Sequence, residues 1–108
     1  MVYDTDKINR GKITVHVDKD LEDLIPGYLE NRQKDIKSIL VSLGREDYEN
    51  IRVIGHSMKG SGGGYGFDAI TTMGKSIEEA AKDKNYEAIK QYAYELSLYL
   101  ESIDIVYE

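Results

Sequence analysis

Apolar residues recur at helical spacing along nearly the whole chain after Asp18, and this periodicity restricts the fold more than any other feature. Side chains at positions i, i+3 or i+4, and i+7 lie on one face of an α-helix. Four stretches follow this pattern, and the only proline, Pro26, stands at the beginning of the first. Proline is tolerated in the first turn of a helix, where its missing N–H has no partner. We therefore predict four amphipathic helices.

Capping residues and glycines set the predicted helix ends. Asp18 or Asp20 can cap a short turn through Leu24, and Gly44 closes the first long helix. The residues predicted to cap the next three helices are Asp47, Asp68 and Asn85. We assign Ile103 to the last helix. Short connections place successive helices antiparallel, so the predicted fold is all-α: an up-down-up-down four-helix bundle with a short leading helix, over residues 18–108.

Residues 1–17 differ in pattern from the rest. They mix charges with small polar residues and end in ITVHV, a β-like run from Ile13 to Val17. We expect no second strand to pair with this run. The segment is therefore interpreted as an N-terminal lead-in or linker.

Charge and composition exclude several classes of function. The 20 acidic and 14 basic residues give a net charge of −6, and no concentrated basic face exists for nucleic acid. Cysteine is absent, which excludes disulfides, thiolate metal sites and cysteine nucleophiles. No apolar run approaches the roughly 18 residues that span a bilayer. We expect a cytoplasmic monomer that binds protein partners, since the helices show no second apolar face.

The most informative segment is GHSMKGSGGGYGF, from Gly55 to Phe67. At about 100° per residue, the apolar positions of this helix form one core stripe. His56 falls on the opposite, solvent-facing side, with Lys59 one turn further on. Gly60 and Gly63 lie on the same exposed face. The spacing thus predicts an exposed imidazole with a cation and two glycines beside it.

Glycine inside a helix costs roughly 0.5–1 kcal/mol relative to alanine, so several together need a reason. Core packing cannot explain the glycines that lie on the solvent-facing side of the helix. Missing side chains leave the ring of His56 open to a group larger than water, and Lys59 can hold negative charge beside it. This combination indicates a site that accepts a phosphoryl group.

The same residues admit other interpretations. A nucleotide-phosphate loop is disfavoured, because Lys59 precedes the glycines and neither common glycine-rich phosphate motif occurs. Gly62 can allow close helix approach, and Gly66 can serve as a helix C-cap. The other histidine, His16, lies in the β-like segment without a carboxylate pattern, and we assign it no function.

The segment resembles the H-x-x-K-G-[SA]-x-x-x-x-G-[LF] signature of histidine-containing phosphotransfer (HPt) domains. The matching positions are His56, Lys59, Gly60, Ser61, Gly66 and Phe67. The stretch LIPGYLENR at residues 24–32 resembles the helix that precedes the phosphoacceptor helix in such domains, and Ile77-Glu78 resembles a pair on the following one. The resemblance covers most of residues 18–108. HPt domains are four-helix bundles, the architecture that the periodicity predicts independently.

The resemblance implies a role for each matching residue. His56 would be the phosphoacceptor, taking the group through Nε2 from the aspartyl phosphate of a response-regulator receiver domain or a hybrid histidine kinase. Lys59 would offset phosphoryl charge, Gly60 would keep space open beside the ring, and Ser61 would support the local structure. Mg²⁺ would come from the receiver domain, so the chain needs no cofactor of its own.

Two positions complete this prediction. Glu78 could approach the site from the next helix, although several HPt domains carry a hydrogen-bonding residue such as Gln there, and a carboxylate could repel phosphate or pair with Lys59. Val53 lies on the exposed side near His56, where a partner could dock. The leading hypothesis is a phosphocarrier without ATP-dependent kinase activity, and the alternative is a noncatalytic adaptor that only binds a receiver.

Overall fold

The computed structural model describes residues 13–108 and shows a mostly helical chain with one small sheet. The four helices are α1 (Ile25–Gly44), α2 (Tyr48–Ser61), α3 (Asp68–Lys82) and α4 (Tyr86–Ser102). The two strands are β1 (Ile13–Val17) and β2 (Ile103–Tyr107), and single 3-10 turns span Lys19–Leu21 and Gly63–Tyr65. The prediction of four helices in a mostly helical chain is confirmed, and the small two-stranded sheet is a feature that the all-α prediction did not include. No helix within residues 13–108 is long and apolar enough to cross a membrane.

The sheet joins the two ends of the described chain. Strand β1 runs parallel to β2, with Ile13 opposite Ile103 and Val17 opposite Tyr107. The backbone N–H of Glu108 donates to the Val17 carbonyl at 3.0 Å. The prediction that residues 13–17 have no partner strand is therefore wrong, and so is the assignment of Ile103 to the last helix. Residues 1–12 of the predicted lead-in lie outside the described residues.

The helix starts follow the capping residues in most cases. The Asp47 side chain accepts a hydrogen bond from the Asn50 N–H, and the Asn85 side chain caps α4 in the same way. The predicted cap at Asp68 is wrong by one residue, because Phe67 occupies that position and buries its ring completely. The short leading helix is the 3-10 turn Lys19–Leu21, which Asp18 caps.

The core lies between helices that contact one another in pairs. Helix α1 packs against α2 and α4, and α3 packs against the same two helices. The largest fully buried side chains are Val17, Ile25, Ile39, Ile51, Met58, Phe67, Ile70, Ile77, Ile89 and Leu96. Val17 extends this core to the sheet, so β1 belongs to the folded unit.

Helices α2 and α3 approach each other backbone to backbone. A Cβ atom on Gly74 would lie 2.5 Å from the backbone nitrogen of Lys59, and a Cβ atom on Gly55 would lie 2.7 Å from the backbone nitrogen of Glu78. Such distances leave no room for a side chain, so the approach requires glycine at both positions. This packing places the middle of α3 directly beside the phosphoacceptor candidate on α2.

The glycine-rich segment after α2 is a tight, well-anchored turn. A Cβ atom on Gly62 would lie 2.6 Å from the Thr71 nitrogen, and Gly66 has a φ of 93°. Both predicted roles, close approach and left-handed cap, are confirmed. Between them the Tyr65 ring stacks on Tyr28 of α1, with 4.2 Å between ring centroids. Helix α2 thus ends at Ser61, and the 3-10 turn that follows it contacts α1 through Tyr65.

Candidate functional site

His56 lies on the exposed face of α2, as the helical spacing predicts. Its side chain is 65% exposed, whereas Ile51 and Met58 on the opposite face are fully buried. The apolar stripe of the helix thus fixes the orientation of the backbone, and the imidazole extends from the other side into solvent.

One ring nitrogen of His56 is already engaged. Nδ1 lies 3.0 Å from Oε2 of Glu78, whose side chain is only 6% exposed. An ionised carboxylate can only accept hydrogen bonds, so Nδ1 carries the proton and donates it. Nε2 therefore holds the lone pair of the neutral ring, because the hydrogen bond to one nitrogen selects the tautomer at the other.

The second oxygen of the same carboxylate binds Lys59. The Lys59 Nζ lies 2.8 Å from Oε1 of Glu78. Hydrogen bonding from Lys59, and to a smaller degree from His56, lowers the pKa of Glu78 to about 2, although burial opposes the shift. The carboxylate is consequently ionised at neutral pH, and the Lys59 ammonium balances its charge. The ammonium keeps further N–H donors for an incoming oxyanion.

The space beside the ring is open. Gly60 lies one turn after His56, and a Cβ atom on Gly60 would meet no atom within 4 Å. Gly64 in the following turn has the same free surroundings. Packing therefore does not require glycine at either position, in contrast to Gly55 and Gly62. The accessible ring remains the physical explanation for Gly60.

Ser61 lies on the side of α2 that faces α1. Its Oγ is 3.1 Å from the Tyr28 hydroxyl and donates to the Met58 carbonyl at 3.4 Å. These contacts fit the predicted role in local support. They connect α2 to α1 and place Ser61 away from the group formed by His56, Lys59 and Glu78.

Arg52 is a charged neighbour of His56 along α2 that the sequence analysis did not single out. It lies one turn before His56, and its guanidinium is held by Glu49 at 2.6 Å. Its position at i−4 from the histidine is the sequence signal that could have identified it. Val53 is half-exposed on the same side of α2, as predicted. Gly55 and Gly74 were also missed, since their role depends on two helices that the sequence does not show in contact.

His16 shows a related pair in a different setting. Its Nδ1 lies 3.0 Å from Oε2 of Glu108, but that carboxylate is 66% exposed and pairs with no described lysine. The two histidines thus share a local contact and differ in the burial and charge of their partners.

Within residues 13–108, no group of three or more His, Asp or Glu side chains could hold a metal ion. No family model, curated protein or solved structure matches the chain. The features that bear on function are the geometry around His56 and the motif that contains it.

Proposed function

We propose that this chain is a histidine phosphotransfer domain that relays a phosphoryl group between receiver-domain aspartates in a cytoplasmic two-component phosphorelay. The observation that carries the proposal is the exposed His56 ring, whose Nδ1 proton is held by the buried, ionised Glu78. This contact leaves Nε2 at the surface as the free nucleophile, and Lys59 is bound to the same carboxylate.

The transfer step is a displacement at phosphorus. The Nε2 lone pair of His56 attacks the aspartyl phosphate in line, the new N–P bond forms, and the bond to the aspartyl oxygen breaks. The aspartate leaves as a carboxylate with the bonding electrons. The ring retains its Nδ1 proton and becomes positively charged, and Glu78 stabilises that charge, as a carboxylate does beside a catalytic imidazole. The reverse reaction delivers the group to a second receiver.

Lys59 supplies the electrostatic contribution. Phosphoryl transfer is assisted mainly by positioning and by stabilisation of charge on the phosphoryl oxygens. Lys59 is 37% exposed at its side chain, and it can donate to a phosphoryl oxygen while it remains bound to Glu78. Mg²⁺ belongs to the receiver domain in this proposal. The chain then acts as a phosphocarrier without ATP-dependent kinase activity.

The proposed architecture is an up-down-up-down four-helix bundle that acts as a monomer. The supporting observations are the short connections at residues 45–47 and 83–85 and the contacts of α1 and α3 with both other helices. A bundle of this kind holds α2 rigidly, so that the His56 face stays accessible to a receiver.

The proposal is tested with the purified chain, a phosphorylated receiver and Mg²⁺, with phosphoramidate as a partner-independent phosphoryl donor. We expect an acid-labile, alkali-stable phosphate on the wild type and none on His56→Gln. His16→Gln is the matched control, because His16 is also exposed and has a carboxylate on Nδ1. This variant should accept phosphate like the wild type.

Each other outcome contradicts part of the proposal. Equal labelling of His56→Gln and the wild type would exclude His56 as the phosphoacceptor. Receiver binding without transfer, together with no reaction with phosphoramidate, would favour a noncatalytic adaptor. Loss of labelling in His16→Gln but not in His56→Gln would identify His16, in strand β1, as the phosphoacceptor.

A further inference from the structure

A shallow cavity of about 290 Å³, open to solvent, lies between the second half of α1 and the beginning of α2, and Ser42 is the one buried residue in its lining. The residues that line it are Lys37, Ser38, Val41, Ser42, Arg45 and Asn50. Both charged residues in this lining are basic and none is acidic. The cavity therefore has a positive wall in a chain whose net charge is −6.

Ser42 gives the cavity a buried hydrogen-bond donor. The residue is only 6% exposed, and its Oγ accepts a hydrogen bond from Asn50 Nδ2 at 2.8 Å. A serine hydroxyl has one proton in addition to its lone pairs, so the Ser42 proton remains to be donated. Within residues 13–108 this hydroxyl makes no other hydrogen bond. The second hydrogen of the Asn50 amide is likewise left for a ligand.

Two carboxylates at the beginning of α2, those of its cap Asp47 and of Glu49, make other contacts. Asp47 accepts from the backbone of Asn50, and Glu49 is held by Arg52 at 2.6 Å. The ion pairs among the described residues involve neither Lys37 nor Arg45.

We propose that this cavity binds the oxyanion group, phosphate or carboxylate, of a small solute. Lys37 and Arg45 neutralise the anion, while Ser42 and Asn50 donate hydrogen bonds to its oxygens. Val41 contacts the apolar part of the ligand. Because the cavity is open to solvent, it suits a ligand of few heavy atoms that stays partly exposed.

The proposed site is separate from the phosphoacceptor. Asn50 and His56 are six residues apart on α2, which places them about 120° apart around the axis and about 9 Å apart along it. Ligand binding in the cavity consequently does not require phosphoryl transfer at His56, and the two proposals can fail independently.

The test is a titration of the isotope-labelled full chain with inorganic phosphate and, separately, with acetate, at constant ionic strength. We expect saturable shifts of the Ser42 and Asn50 NMR signals at concentrations on the order of millimolar. Saturation with phosphate alone identifies a phosphorylated ligand, and saturation with both identifies a general oxyanion site. His56→Gln should bind as the wild type does.

Charge variants distinguish a built site from general attraction. Arg45→Gln and Lys37→Gln should each weaken binding by about tenfold, because each removes a charge-assisted hydrogen bond. Lys34→Gln removes the same charge from an exposed position of α1 outside the cavity, and it should leave binding unchanged. Shifts that do not saturate, or equal weakening in Lys34→Gln and Arg45→Gln, would overturn the proposal. Circular dichroism of each variant checks that the fold is retained.

Discussion

At the residue scale, the two histidines show how the surroundings decide what an imidazole can do. Both rings place Nδ1 3.0 Å from a carboxylate oxygen. Glu78 is buried and bound to Lys59, whereas Glu108 is exposed. A buried, ionised carboxylate holds the ring in one tautomer more firmly than a solvated one, since water competes less for the hydrogen bond. Only His56 therefore combines a fixed Nδ1 proton with an accessible Nε2.

Glu78→Gln should remove a pH-dependent contribution to stability. The folded pKa of Glu78 is about 2, against an ordinary value of 4.5. Between these values the unfolded chain binds more protons, so the free energy of unfolding falls as the pH is lowered. The contribution is complete above pH 4.5 and lost below about pH 2. Urea unfolding of the wild type across this window should show a steeper decrease than Glu78→Gln.

The control for this prediction is Glu108→Gln. The Glu108 carboxylate contacts a histidine at the same distance but is exposed to solvent. This variant should follow the wild-type pH dependence. Identical curves for Glu78→Gln and the wild type would contradict the ion pair with Lys59.

Gly60 allows stability and accessibility to be separated. Gly60→Ala should stabilise the chain by about 0.5–1 kcal/mol, because alanine favours the helix and its Cβ meets no atom within 4 Å. Gly60→Leu should keep the helix but cover the ring one turn away, lowering phosphoryl acceptance by roughly tenfold or more. Urea midpoints and initial phosphorylation rates measure the two effects. An unchanged rate in Gly60→Leu would exclude the proposed role of this glycine.

At the element scale, the contact between α2 and α3 creates the site. Gly55 and Gly74 let the two backbones approach so closely that Glu78 reaches both His56 and Lys59. The individual helices are predictable, since Asp47 and Asn85 cap them as their sequence positions indicate. The contact between α2 and α3 cannot be predicted in this way, because a glycine in an amphipathic pattern does not reveal which helix will face it.

Gly74→Ala should destabilise the chain by about 1–3 kcal/mol. The new Cβ would lie 2.5 Å from the backbone nitrogen of Lys59, so α2 and α3 would have to separate. We expect a lower urea midpoint together with a weaker contact between His56 and Glu78. Nitrogen-15 shifts of the imidazole report this contact. Gly60→Ala is the matched control, because the same substitution there should raise the free energy of unfolding. Stabilisation by both substitutions would contradict the close backbone approach.

At the scale of the whole molecule, the parallel pair β1–β2 closes the chain on itself. Parallel strands need a long crossover, and here all four helices lie between them. Val17 is 1% exposed and connects this pair to the helical core. Two strands alone are marginally stable, so the sheet depends on that packing.

Val17→Ala should therefore lower the free energy of unfolding by about 1–3 kcal/mol. Thr14→Ala in the same strand should change it by less than about 0.5 kcal/mol, because Thr14 is exposed. Urea unfolding measures both values, provided that the slope of the free energy against urea concentration is the same in each variant as in the wild type. Equal effects of the two substitutions would show that the strand contributes no core packing.

The sequence alone determined the number of helices, most of their first residues and the exposed face of His56. These features depend on residues close together in the chain, through helical periodicity and local capping. Gly66 belongs with these features, since its left-handed φ is a local property of the turn. The resemblance of the motif to HPt domains, and not a local pattern, predicted Glu78 as a neighbour of the site, with pairing to Lys59 as one of two outcomes.

Only the tertiary structure decided how distant segments combine. It paired residues 13–17 with 103–107, brought Gly55 against α3, and engaged both oxygens of Glu78. It also formed the basic cavity between α1 and α2. Such contacts join residues far apart in sequence, and their free energy depends on burial and on complementary shape. Neither quantity is defined until the chain has folded, which is why no local pattern contains them.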